Sequence, residues 1–131
     1  MLLEACIGKI HRAIVTQADL NYVGSITIDE TLAKAAGFRQ YQKVTITNCS
    51  NGVLWYTYVM FGEPHAGTIC LNGPPARHFQ KGDIVIILAY AQMTPEELDA
   101  FTAAGGPKVV FVNNKNTITK IKDHPSTSAN G

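Results

Sequence analysis

The stretch LNYVGSITIDE, Leu20 to Glu30, sets a glycine and a small nucleophile, Gly24 and Ser25, at the entrance to a run of alternating apolar residues. Val23, Ile26 and Ile28 favour extended backbone, whereas a glycine in such a run marks a bulge, a tight bend or a close backbone approach. Gly-Ser is also an ordinary loop dipeptide, so the pair taken alone reads as a plain turn. The other nucleophiles are Cys6, Cys49 and Cys70, odd in number and widely spaced. With no CxxC pair and no histidine at ligand spacing, they indicate neither a disulfide framework nor a zinc site, and no metal is expected. Free thiols fit a reducing cytoplasm.

The elements that must position Ser25 are short and mostly extended. IHRAIVT (10–16) and SITI (25–28) read as strands around a turn, QADLNYVG. DETLAKAAG reads as a short helix with Asp29 as its N-cap and Gly37 at its end. KVTITNC and VLWYTYVMF, joined by the turn SNG, should pair as a hairpin. GTICLN, DIVIILAYAQM and KVVFVNN supply three more strands. Between the last two, TPEELDAF places Thr94 as N-cap, Pro95 at the first helical position and two glutamates in the first turn. Many short strands with two minor helices predict a closed, mainly β barrel.

At 131 residues the chain is one domain, expected over 1–122, and the polar, unpatterned segment 123–131 is expected to be a disordered tail. A net charge of +1 without a Lys/Arg stripe argues against nucleic acid. The opening MLLEACIGKI, interrupted by Glu4 and Lys9, is neither a signal peptide nor a membrane span, so a cytoplasmic protein is expected. Apolar residues make up 46% and charged residues only 16%, which predicts that other subunits cover part of the surface.

The blocks GKIHRA, ADLNYVGSITID, NGVLWYTYV, NGPPAR and GDIVII occur in one order and at spacings that resemble the pyruvoyl-dependent aspartate 1-decarboxylases. The likeness runs from about Lys9 to Met93 and continues more weakly to residue 121. It implies a small double-psi β-barrel with two short helices, assembled as a homotetramer with sites between subunits. It also implies that the chain cuts itself between Gly24 and Ser25. Ser25 Oγ attacks the Gly24 carbonyl in an N-to-O acyl shift, and a residue without Cβ leaves that carbonyl open. Elimination and loss of ammonia then turn Ser25 into a pyruvoyl group, a built-in ketone that forms a Schiff base with a small amino-acid substrate and accepts electrons as CO2 leaves.

The same resemblance assigns the helpers. Thr57 stabilises the oxyanion of self-cleavage, and Tyr58 donates the proton that replaces CO2. Lys9, His11 and Tyr22 line the site, Lys9 as a holder of a carboxylate and the others as proton carriers or positioners of the scissile turn. Asn72 lies near the pyruvoyl, followed by Gly73. Each has a plainer alternative: Lys9 as a solvated strand residue, His11 and Tyr22 as barrel packing, Thr57-Tyr58 as β-formers on a hairpin.

Two departures bear on the substrate. The family carries an arginine that grips the substrate's side-chain carboxylate where this chain has Leu54, and leucine offers no charge or donor. The family's backbone donors after Asn-Gly are replaced by Pro74 and Pro75, which have no N–H. With bulky Trp55 beside Leu54, the pocket reads as more apolar than one built for a dicarboxylate. The alternative is that Leu54 points to the core and Arg12, Arg39 or Arg77 serves from elsewhere. Three functions follow: a pyruvoyl-dependent amino-acid α-decarboxylase shifted towards a less acidic substrate; an orthodox aspartate decarboxylase making β-alanine for pantothenate and coenzyme A; and an uncleaved barrel acting as a binding or regulatory subunit. An uncut chain would point to the third, or to a requirement for a maturation factor.

Overall fold

A computed structural model describes residues 1–21 and 24–124, and within them the chain is mainly β. The strands are β1 (Leu3–Ile14), β2 (Gln17–Asp19), β3 (Ser25–Asp29), β4 (Lys43–Asn48), β5 (Leu54–Gly62), β6 (Ile69–Asn72), β7 (Ile84–Met93), β8 (Lys108–Val112) and β9 (Ile118–Asp123). Two α-helices, α1 (Glu30–Ala35) and α2 (Pro95–Ala103), and one 3-10 turn at Pro74–Arg77 complete the set. No helix among the described residues is long and apolar enough to cross a membrane.

The strands form one mixed sheet in the order β2-β6-β3-β5-β4-β7-β1-β8-β9. Only Val15 and Thr16 separate β1 from β2, and both are held: Val15 N–H donates to Asp83 O at 2.9 Å and Thr16 N–H to Ile69 O at 2.8 Å. The chain that pairs with β7 therefore runs directly into the strand that pairs with β6, and the sheet closes on itself as the barrel expected. Asn116 pins this crossover, its side chain accepting from Ile14 N–H and donating to Ile14 O, both at 2.8 Å, as a neighbouring strand would.

Alternation along each strand fills the interior. Ile26 and Ile28, Val44 and Ile46, Val59, Ile69 and Leu71, and Val85, Ile87 and Ala89 all point inwards and are buried, with Phe79 among them. Each fully buried isoleucine or leucine contributes about 1.5–3 kcal/mol. The expected β4–β5 hairpin is present, Lys43 opposite Tyr58 through Thr47 opposite Leu54.

Both helix caps follow the sequence. The Asp29 carboxylate accepts from Thr31 N–H at 2.8 Å, and Thr94 with Glu97 makes a reciprocal capping box. Asp29 also accepts from the N–H groups of His65 and Gly67, tying the end of β3 to a neighbouring loop. Gly8 shows why β1 can run beneath α1: a Cβ there would lie 1.7 Å from Ala36 O.

Several boundaries differ from expectation. β1 begins at Leu3 rather than Ile10, because β7 pairs with its first half and β8 with residues 8–11. The segment read as the turn QADLNYVG contains β2, three residues paired with β6. β9 reaches Asp123, one residue past the expected end of the domain, and His124 N–H still donates to Pro107 O. The remainder of the expected tail, 125–131, lies outside the described residues, as does Tyr22.

Candidate active site

Ser25 opens β3 and stands between two strands. On one side it is paired across the antiparallel ladder with Asn72, the last residue of β6. On the other, β3 runs parallel to β5, their ladder beginning at Ile26 beside Val59, the residues that follow Ser25 and Tyr58. Ile26 and Val59 face the core, and alternation therefore turns Ser25, Asn72 and Tyr58 to the opposite, outer face of the barrel.

Although it faces outwards, Ser25 is only 5% exposed and Asn72 4%. Asn72 Nδ2 donates to Ser25 Oγ at 3.0 Å and to Thr27 Oγ1 at 3.1 Å, while Asn72 Oδ1 accepts from the Cys70 thiol at 3.1 Å. A buried hydroxyl held by an amide of the neighbouring strand is fixed rather than a rotor in solvent. A Cβ on Gly24 would make only ordinary contacts, 3.8 Å from Pro74 Cδ and 3.9 Å from Asn72 O. Nothing packed around Gly24 therefore requires a glycine there.

Pro74 and Pro75 form the 3-10 turn that follows Asn72 and Gly73. Gly73 sits at φ 75°, a left-handed conformation that favours glycine, and its N–H donates to Asp19 O at 2.7 Å. Prolines suit the first positions of a helical turn because the N–H groups there have no internal acceptor. Their cost is that those groups cannot face a ligand.

The remaining expected residues divide. Leu54 is 53% exposed and lies on the same face of β5 as Tyr56 and Tyr58, which overturns the alternative that it points to the core. Trp55 faces the other way, packed against the core with its ring 5.5 Å from that of His78, so it is no neighbour of Leu54 in a shared pocket. Alternation sends Thr57 to the face that carries Val59. Lys9 and His11 are on β1, where no hydrogen bond or ion pair among the described residues joins them to Ser25, Asn72 or Tyr58. His11 packs edge-on against Phe111 at 5.4 Å, and its buried Nδ1 has no hydrogen-bond partner among the described residues. Burial pushes the His11 imidazole below its ordinary range, with Lys9 and Arg12 adding to the effect. Arg39 and Arg77 are both exposed.

Cys70 is the participant that residue types did not reveal. Its only signal was its place two residues before Asn72 on a strand, which puts both side chains on one face.

A model of the aspartate decarboxylase family matches residues 1–119. The chain is 52% identical over 126 residues to an aspartate 1-decarboxylase of Clostridium beijerinckii, covering 96% of this chain and 98% of that protein. It is 56% identical over 113 residues to an aspartate 1-decarboxylase of Ruminiclostridium cellulolyticum, covering 86% and 85%. A third, from Caldicellulosiruptor saccharolyticus, is 52% identical over 123 residues, covering 94% and 93%.

Proposed function

The chain belongs to the aspartate decarboxylase family, and from that premise we propose that it removes the α-carboxyl group of L-aspartate as CO2, leaving β-alanine, after cutting itself between Gly24 and Ser25. Enzymes of this family are pyruvoyl-dependent carboxy-lyases on a double-psi barrel, and their pyruvoyl group is formed from a serine. The residues around Ser25 fit such a group: a small, buried position with an amide donor from the neighbouring strand. When formed, the ketone supplies the electron sink for the bond that breaks as CO2 departs.

The chain's own side chains do the rest. Asn72 N–H donors orient the reacting oxygen, and Tyr58 holds a proton on the face where the carboxylate leaves. The family likeness gives Thr57 the oxyanion of self-cleavage. Gly73, Pro74 and Pro75 wall the pocket beside Gly24, and Lys9 and His11 complete the site from a neighbouring subunit of a homotetramer, Lys9 holding a carboxylate. The observation that carries the reading is the buried Ser25 Oγ, held 3.0 Å from Asn72 Nδ2. Incubating the purified protein with L-aspartate should release CO2 and β-alanine in equal amounts; release of neither would contradict it.

A less acidic substrate is the second reading, and Leu54 is the observation that favours it. Its exposed position on the face of Tyr58 leaves an apolar side chain where the family likeness calls for an arginine. The names of the similar proteins favour aspartate. A panel of amino acids assayed by CO2 release separates the two, since aspartate should be turned over best on the first reading and an apolar or neutral amino acid on the second.

A further inference from the structure

Ser25 with Asn72 and Thr27 with Cys70 form two successive cross-strand pairs on one face of the β3–β6 ladder, and the contacts within this quartet have a direction. The Asn72 amide nitrogen spends both hydrogens, one on Ser25 Oγ at 3.0 Å and one on Thr27 Oγ1 at 3.1 Å. Its oxygen accepts from the Cys70 thiol at 3.1 Å. Hydroxyl groups give or accept a hydrogen bond equally well, so Ser25 and Thr27 would tolerate either orientation of the amide. Cys70 tells its two ends apart, because the thiol has a proton to give the oxygen whereas its sulfur is a weak acceptor for the NH2 group.

We propose that Cys70 is a positioning residue for self-processing, which by donating to Asn72 Oδ1 turns the Asn72 amide nitrogen towards Ser25 Oγ. The inference rests on the self-cleavage put forward above. In this orientation the Ser25 hydroxyl proton is not tied to Asn72 and is free to leave, and an N–H group faces the negative charge that Oγ carries as that proton departs, before the charge passes to the Gly24 carbonyl oxygen. The step balances within the chain: a bond forms between Ser25 Oγ and the Gly24 carbonyl carbon, the Gly24–Ser25 C–N bond breaks, and the hydroxyl proton ends on the Ser25 nitrogen, leaving an ester. A reversed amide would hold the hydroxyl proton on its oxygen and present that lone pair to the growing charge. The donor is available at neutral pH, since burial pushes the Cys70 thiol above its ordinary range and Asp19 adds to the effect.

Valine and threonine have nearly the same shape and differ in a hydroxyl donor, so they separate donation from packing. The full-length chain carrying Cys70→Val or Cys70→Thr is purified promptly and its cleavage followed by intact-mass spectrometry. The wild-type and Cys70→Thr chains should cleave at similar rates and Cys70→Val on the order of tenfold more slowly, the worth of one buried hydrogen bond. Should the β-branched variants fail to fold, Cys70→Ser against Cys70→Ala makes the same comparison. Cleavage of the donor-free variant at the wild-type rate would overturn the inference alone, and equal slowing of both members of a pair would reduce Cys70 to packing. A wild-type chain that never cleaves would remove the self-processing reading and this inference with it.

Discussion

Ser25 combines a reactive hydroxyl with near-complete burial, and its surroundings hold Oγ in place from β6 while β5 brings Tyr58 alongside. Replacing Ser25 by alanine removes the attacking oxygen, so Ser25→Ala should give a single uncut chain on a denaturing gel with no CO2 release from aspartate. At Leu54 the exposed side chain shares a face with Tyr58, and Leu54→Arg should raise kcat/KM for aspartate on the order of tenfold by adding a charge-assisted partner for the β-carboxylate. The gain should be partial because Pro74 and Pro75 still offer no N–H; unchanged kinetics on aspartate would show that residue 54 does not meet the substrate. His11 supplies a pH effect. Its folded-state affinity for a proton is lowered, so the unfolded chain binds that proton more readily and this contribution to stability is present above the ordinary histidine pKa. It is lost as pH falls from there through the lowered value. His11→Phe should therefore flatten the acid side of a plot of unfolding temperature against pH; an unchanged slope would contradict this.

The elements whose apolar residues alternate were legible from sequence, because Val44 and Ile46 in KVTITN and Val85, Ile87 and Ala89 in the strand from Ile84 to Met93 are the buried apolar residues and their period declares them. The helix caps were legible too, since Asp29 and the Thr94–Glu97 pair satisfy donors that every helix leaves open. What escaped was structure imposed by neighbours. The first half of β1 has no clean alternation and is held by its pairing with β7, β2 has only three residues, and β9 is an exposed edge carrying Lys120 and Lys122. Gly8 carries a consequence at this scale. Any side chain there meets the backbone of Ala36, which cannot swing aside as a flexible side chain would. Gly8→Ala should cost about 3 kcal/mol or more and read as a large drop in the denaturant midpoint. A midpoint close to wild type would mean that β1 and α1 separate easily.

Across the whole molecule, the sheet sets three separate strands, β3, β5 and β6, side by side at the reactive position, while among the described residues no hydrogen bond or ion pair links Lys9 or His11 of β1 to it. The order of the sequence blocks, through the family likeness, pointed to Gly24, Ser25, Tyr58 and Asn72, of which the structure brings Ser25 and Asn72 into contact. The inward turn of Trp55 and the part played by Cys70 required the register. If Lys9 serves the site of a neighbouring copy, the protein should run as a tetramer by light scattering, and coexpressed Lys9→Ala and Ser25→Ala chains should regain activity that neither has alone. A monomer at micromolar concentration, or mixed chains that stay inactive, would confine the site to one subunit. The account as a whole turns on self-cleavage, which intact-mass spectrometry of the purified wild-type protein tests most directly. It predicts two chains, residues 1–24 and 25–131, the larger lighter than its simple hydrolysis product by one ammonia. One intact chain after prolonged warming, or a larger fragment still bearing an unmodified serine at its N-terminus, would contradict it.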